Sequence, residues 1–308
     1  MSIIKNKDFG TSGNSVWHQP YFDHLKENFF PKLDPADMQP GIKKFLDAYP
    51  KWIATSKLNK FTGWEDFPYR YISDGTTQSL DWFHYWVMSQ GRTLRTFRGE
   101  YPYHRDALLD GQWTQDRYIE DSPLRPGDAV LISVPFSASG ELHPQFDWLM
   151  EECNKHNIPV LVDCAWFGTC YDIEVNVNHD CVKMVTFSTT KGLSCGNWRS
   201  GITFSKIDEG GLQVQTEWGH GVLLSMSIAC SLFEAFTPDT IPKRYKEMQH
   251  IVCEHYGLIP TRTIHIASTE LTDEIKDTSF NRDGLYGRVN IKESLKRYRK
   301  TKEFYEIN

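Results

Sequence analysis

No Cys-x-x-Cys pair and no zinc-ligand spacing occurs among the seven cysteines, an odd number that fits a reducing compartment better than a disulfide framework. His250, Cys253 and His255 fall in one helix-like segment, but without a second ligand cluster they do not make a metal site. No apolar run approaches the length of a membrane span, and the opening MSIIKNKDFG lacks a basic segment followed by an apolar core. The expectation is a soluble, cytoplasmic protein with no membrane partner. There is no excess of positive charge either: the formal charge is −6 and the pI about 6.0. That balance excludes a broad electrostatic footprint for nucleic acid, so any anionic ligand must be met by a few local cations. Internal repeats and low-complexity tracts are also missing.

What is present suits a large α/β enzyme. The 308 residues are 40% hydrophobic and 24% charged, enough to bury a sizeable core. Residues 1–65 are polar and aromatic, and Pro20, Pro31, Pro35, Pro40 and Pro50 divide them into short pieces. They read as an N-terminal arm with part of a small lobe. Between about 70 and 205 the hydrophobic period alternates. It predicts helices over 77–90 and 143–157, with strands over 93–97, 129–134, 159–164, 182–187 and 201–204. Such alternation builds a mostly parallel sheet covered by helices on both faces. Helices over 222–236 and 242–256, a strand over 263–267 and a basic helix over 292–305 complete the reading. Residues 66–238 thus form the large domain and 239–308 an abbreviated α+β small lobe.

The densest chemistry lies in FSTTKGLSCGNWRSG, residues 187–201. Lys191 is flanked by small residues that leave its amine free, and Ser188 and Arg199 are placed to converge on one anion. Such a set suits a phosphorylated carbonyl cofactor. The lysine would form a Schiff base with the aldehyde, while Ser188 and Arg199 hold the phosphate, Arg199 as a charge-assisted fork. Upstream, the buried-strand pattern IPVLV ends in Asp163, and a carboxylate at the carboxyl end of such a strand faces the crevice where open α/β sheets bind ligands. Asp163 could pair with a pyridinium nitrogen and keep it protonated, which makes the ring an electron sink.

On these residues the chain resembles the aspartate aminotransferase family, the class I/II pyridoxal-phosphate enzymes of fold type I. The resemblance is strongest over residues 75–201. That family places its lysine in Ser-x-Ser/Thr/Ala-Lys, with arginine eight residues on and glycine two further, and Ser188, Thr190, Lys191, Arg199 and Gly201 fill those positions. Asp163 precedes the lysine by 28 residues. The resemblance also implies phosphate binding by Gly75, Thr76 and Thr77 at a helix start, and an aromatic stacked on the ring at Tyr101, with Tyr103 second. It implies that Arg288, in Gly287-Arg288-Val289-Asn290, forks the substrate's α-carboxylate. Two positions depart from the family. Trp166 stands for the tyrosine that bonds the cofactor's phenolic oxygen, and its indole N–H can donate but not ionise. Ser137, in Ser137-Ala138-Ser139-Gly140, stands for the asparagine that bonds the same oxygen. Phe136, Trp17 and Tyr71 are candidate pocket residues by loop position, without assigned roles.

The resemblance implies an aminotransferase that moves an amino group from an amino acid to a 2-oxo acid, as a homodimer with sites at the subunit interface. A lyase, decarboxylase or racemase on the same fold is the alternative, since fold does not settle reaction. A non-catalytic module that keeps the fold for ligand binding is the reading from another class.

Overall fold

The computed structural model describes residues 3–34, 41–106 and 117–306. Its centre is a six-stranded sheet. Strands Thr93–Arg95, Asp128–Ser133, Val160–Cys164 and Val182–Ser188 lie side by side and parallel. Gly201–Ser205 then runs antiparallel to its neighbour, and the edge strand Tyr69–Ser73 reverses again. Side chains alternate across the pleat. Val130, Ile132, Val160, Val162, Val185 and Phe187 join the larger core cluster. Ala129, Leu131, Leu161 and Met184 join a smaller one on the opposite face. Helix Thr76–Ser89 covers the smaller cluster with Leu80, Phe83 and Val87. Helix Phe146–Lys155 covers the other with Phe146, Leu149, Met150 and Cys153. This is the expected α/β arrangement, with strands buried on both faces and therefore near-continuously apolar.

Register sets what meets at the sheet's edge. Ser133 is opposite Asp163, Asp163 opposite Thr186, and Ser188 opposite Gly201, which also faces Ser73. The carboxyl ends of the parallel strands thus line up with the start of the antiparallel one, along the edge where such sheets bind ligands.

A second, antiparallel sheet joins Asn281–Arg282, Tyr286–Asn290, Ile266–Thr269 and Ile259–Pro260. The chain start is stitched to it, because Gly10 and Asn290 form a β-bridge. One apolar cluster runs from Val16 through the large sheet to Leu295, so the core is continuous between the lobes.

Several local features differ from the sequence reading. The strand expected over 263–267 lies two or three residues later, and the strand Tyr286–Asn290 was not anticipated, since glycine, arginine and asparagine interrupt its alternation. Pro50 does not break the chain: helix Gly41–Ala54 runs through it. A mid-helix proline removes one hydrogen bond, but Phe45, Tyr49, Trp52 and Ile53 are all buried on one stripe of this helix, and such packing supplies most helical stability. Pro35 and Pro40 lie outside the described residues. Finally, Tyr71 and Phe136 are core residues: the Tyr71 hydroxyl donates to the Ile207 carbonyl, and Phe136 packs edge-on against His143.

Candidate active site

The loop between Val182–Ser188 and Gly201–Ser205 carries Lys191 and Arg199. Ser188 caps the short helix Thr189–Gly192 by accepting from the Thr190 N–H at 3.1 Å, and its hydroxyl lies 2.6 Å from that of Thr190. Lys191 emerges from this turn into a cleft at the carboxyl edge of the sheet. Thr76, Thr77, Tyr101, Ser137, Asp163, Trp166, Ser188, Arg199 and Arg288 line the same cleft. Gly75 stands at its rim.

At one end of the cleft Arg199, the Ser188 hydroxyl and a helix start meet at Gly75. Gly75 has φ +79° and ψ −178°, a conformation essentially reserved for glycine. A Cβ there would lie 3.1 Å from Arg199 Nη2 and 3.2 Å from Ser188 Oγ. The following helix, Thr76–Ser89, has no side-chain cap, so its first N–H groups are left for a ligand. Its position is fixed by a buried hydroxyl triad: Ser79 Oγ lies 2.6 Å from Thr203 Oγ1 and 3.0 Å from Thr186 Oγ1. Arg199 donates to Thr77 Oγ1 at 2.9 Å and to the Asp74 carbonyl at 3.4 Å, both neutral acceptors, and remains exposed towards solvent.

The other end is acidic. Asp163 is 3% exposed and accepts from the Ala165 N–H at 2.9 Å. Its Oδ2 lies 3.3 Å from His104 Nε2, and His104 Nδ1 lies 3.3 Å from Glu100 Oε2. Glu100 accepts from Ser133 N–H (2.6 Å), Ser133 Oγ (2.7 Å) and Tyr101 N–H (2.8 Å). Burial opposes charge on His104, but the Glu100 and Asp163 carboxylates outweigh it and raise its pKa to about 9. The three groups form a buried acid–imidazolium–acid chain ending at the cleft. Burial likewise opposes the Glu100 charge, and the facing His104 cation nevertheless holds that carboxyl below its ordinary value.

Lys191 lies between the two ends. Burial lowers its pKa; Asp163 opposes that shift, while Arg199 and Arg288 add to it, so the amine is drawn towards its neutral, nucleophilic form. Arg288 is 3% exposed and donates to the Ser137 carbonyl at 2.8 Å and to the Thr11 carbonyl. Its Nε has no partner, and no carboxylate pairs with it among the described residues. Arg288 is thus a buried guanidinium held only by neutral acceptors.

The structure adds partners for several residues of the sequence reading. Trp166 lines the cleft, and its indole N–H donates to the Gly13 carbonyl at 3.2 Å. Ser137 holds Arg288, its hydroxyl 3.3 Å from Nη1. Tyr101 lines the cleft whereas Tyr103 donates outwards to Asp81 at 2.6 Å. The sequence reading missed Glu100 and His104. Their i, i+4 spacing beside the aromatic loop was the available signal. It also missed Gly13 and Asn14, which reach the cleft because Asn290 Nδ2 donates to the Ser12 and Asn14 carbonyls.

The fold is that of the class I/II aminotransferases and related fold-type-I pyridoxal-phosphate enzymes. It superposes on an aromatic aminotransferase from Pyrococcus horikoshii OT3 with a TM-score of 0.64 at 10% identity, covering 95% of this chain and 96% of that one. A pyridoxal-phosphate-bound C-S lyase from Staphylococcus hominis gives 0.62 at 9% identity, over 91% and 87% of the two chains. An L-threonine-O-3-phosphate decarboxylase from Porphyromonas gingivalis gives 0.59 at 13% identity, over 92% and 95%. At the level of sequence alone, neither the family models nor the curated proteins yield a match.

Proposed function

We propose that the chain is a pyridoxal-phosphate-dependent aminotransferase that moves an amino group from an amino acid to a 2-oxo acid through Lys191. One observation carries the reading: Lys191 projects into a cleft between an anion cradle and a buried carboxylate, with an unpaired guanidinium beside it. The cradle fits a phosphate, because Gly75 leaves room where any side chain would intrude. In this reading Gly75, Thr76, Thr77, Ser188 and Arg199 hold the phosphate, and Tyr101 flanks the ring. Asp163, backed by His104 and Glu100, holds a proton at the ring nitrogen. Trp166 contributes wall surface, and Ser137 orients Arg288 to receive the substrate carboxylate. Bound there, the cofactor supplies an electron sink for the charge left at the substrate Cα. Lys191 Nζ is the amine that would hold the cofactor's aldehyde, and, freed by a substrate amine, it would take and return the Cα proton as general base and acid.

The same residues serve a lyase, decarboxylase or racemase. The neighbours keep that second reading open, since they include a lyase and a decarboxylase as well as an aminotransferase. We read the assembly as a homodimer, a reading that the large exposed side chains Tyr85, Trp218 and Val222 (71%, 68% and 50%) support. A cytoplasmic setting is supported by seven buried cysteines that are all free. Among the described residues no helix is long and apolar enough to cross a membrane.

The test is a visible absorption spectrum of the protein with pyridoxal phosphate, before and after a panel of amino acids, with Lys191→Ala as control. A band that depends on Lys191 and is bleached by an amino acid, with the amino group recovered on an added 2-oxo acid, is the expected result. Release of ammonia or carbon dioxide instead would move the assignment to the second reading. A band identical in Lys191→Ala would end both.

A further inference from the structure

A second cavity lies apart from the cleft, between the N-terminal arm and the last helix, and the two have no lining residue in common. Ser15, Val16 and Trp17 form one wall. Lys292, Glu293, Lys296 and Arg299 of helix Lys292–Thr301 form the other, and Tyr245 of helix Thr240–Tyr256 completes the lining. The three cations share a face because steps of four and then three residues return to the same side of a helix. With Glu293 as the single acid, the walls carry a net charge of +2 in a chain of net charge −6.

That acid is already engaged: Glu293 lies 3.3 Å from Lys296 and 4.0 Å from Lys292. Arg299 pairs with no carboxylate among the described residues. Its Nη1 donates to Tyr245 Oη at 2.7 Å, a neutral acceptor. Tyr245 is 1% exposed, and its hydroxyl also lies 3.5 Å from Nδ1 of the buried His18. The charges that act on these two groups are cationic. Burial lowers the His18 pKa to about 4 and raises that of Tyr245, and in both cases Arg299 and Arg244 disfavour added positive charge and favour negative charge. The cavity is therefore electropositive from both helices. Beside it, the Ser15 hydroxyl has no partner.

We propose that this cavity binds a phosphate group, free or as a monoester, and that the bound anion braces the arm against the last helix. A phosphate dianion matches the +2 of the walls, whereas a monocarboxylate leaves half of it unpaired. Arg299 contributes the N–H groups that Tyr245 does not use, Lys292 and Lys296 contribute point charges, and Ser15 contributes a hydroxyl. Trp17, 46% exposed, offers an aromatic face to whatever the phosphate is attached to. The brace also reaches the cleft wall, because the residues just before Ser15 are tied to it: the Thr11, Ser12, Gly13 and Asn14 carbonyls accept from Arg288, Asn290 and Trp166. The site is thus an effector site, independent of the chemistry proposed for Lys191.

The experiment adds inorganic phosphate to the protein preincubated with pyridoxal phosphate, at an ionic strength held constant with sodium chloride, and follows hydrogen exchange in peptides covering residues 14–18 and 292–300. Saturable slowing of exchange in both peptides is expected, with acetate giving none. The Lys296 side chain is 55% exposed, so Lys296→Gln leaves the fold intact and weakens binding by about 2- to 5-fold, as loss of an exposed ion pair does. Arg299→Gln weakens it by roughly 10- to 100-fold, as loss of a charged hydrogen bond does, and Lys296→Arg restores the parent value. Tighter binding of glycerol 3-phosphate than of inorganic phosphate assigns the site to a monoester, and equal binding assigns it to the free ion. Arg199→Gln, which disables the anion-binding end of the cleft, leaves the slowing in place. This variant also separates the two readings, since a protein that takes up no pyridoxal phosphate is titrated in the Arg199→Gln background. Exchange unchanged by phosphate, slowing matched by acetate, or slowing that survives Lys296→Gln and Arg299→Gln together would overturn the proposal.

Discussion

Replacing Glu100 by glutamine should change the way stability depends on pH above neutrality. His104 is enclosed between Glu100 and Asp163, and its pKa rises from the ordinary 6.5 to about 9. A group whose folded value is raised stabilises the fold fully below its unfolded value and loses that contribution as pH climbs to the folded one. At 1.36 kcal/mol per unit the rise corresponds to on the order of 3 kcal/mol, present at pH 6.5 and gone by about pH 9. The same attraction also lowers the Glu100 pKa, so the pair is counted once. Glutamine keeps the shape and an acceptor for Ser133 but removes the largest favourable charge, leaving Asp163 to hold the imidazolium. Urea unfolding of parent and variant between pH 6.5 and 8.5 should therefore show the variant less stable at pH 6.5, with the gap closing by about 1–2 kcal/mol as pH rises. Titrations shared by the two proteins cancel in the difference. His18, His84 and His143 are held near 4 by burial and act only on the acid side, where stability falls as pH drops from 6.5. The buried thiols matter only once their unfolded forms ionise, near pH 8.5. Parallel stability curves for the two proteins would refute the buried acid–imidazolium–acid chain.

Two further substitutions probe the cleft. Gly75→Ala forces a side chain into a backbone region that costs about 1–3 kcal/mol and into the gap beside Arg199 and Ser188; both the denaturation midpoint and the affinity for pyridoxal phosphate should fall, and an unchanged affinity would remove Gly75 from the anion cradle. Arg288→Lys keeps the charge but loses the fork, so kcat/KM should drop roughly 10- to 100-fold with most of the change in KM, whereas an unaltered KM would place the α-carboxylate elsewhere.

Legibility followed sequence distance. Ser188, Lys191 and Arg199 share one loop, so their grouping is visible in the chain itself, and Asp163 ends a strand whose apolar run announces it. The α/β alternation was open over the five strands from Thr93 to Ser205, because strands buried on both faces leave little room for ambiguity, but the edge strand Tyr69–Ser73 was not read. His104 was not visible. It belongs to a four-residue helix without periodicity and matters only because the topology seats it between Glu100 and Asp163. Arg288 was legible only through the family pattern, because glycine, arginine and asparagine disguise the strand that carries it. Trp166 was legible as a departure from the family pattern, but the direction of its N–H required the fold of the first fourteen residues.

The pairing of Ser188 with Gly201 is local, since both strands leave one short loop. The rest of the cleft is not: Thr77 meets Arg199 because Ser73 pairs with Gly201, and Asp163 lies beside Ser133 and Thr186 through parallel strands. Contacts between residues so far apart along the chain form slowly, because loop closure must come first. The cleft therefore takes shape late in folding, with the sheet as a whole, and a chain that ends before Gly201 lacks the strand that seats Gly75 and Thr77.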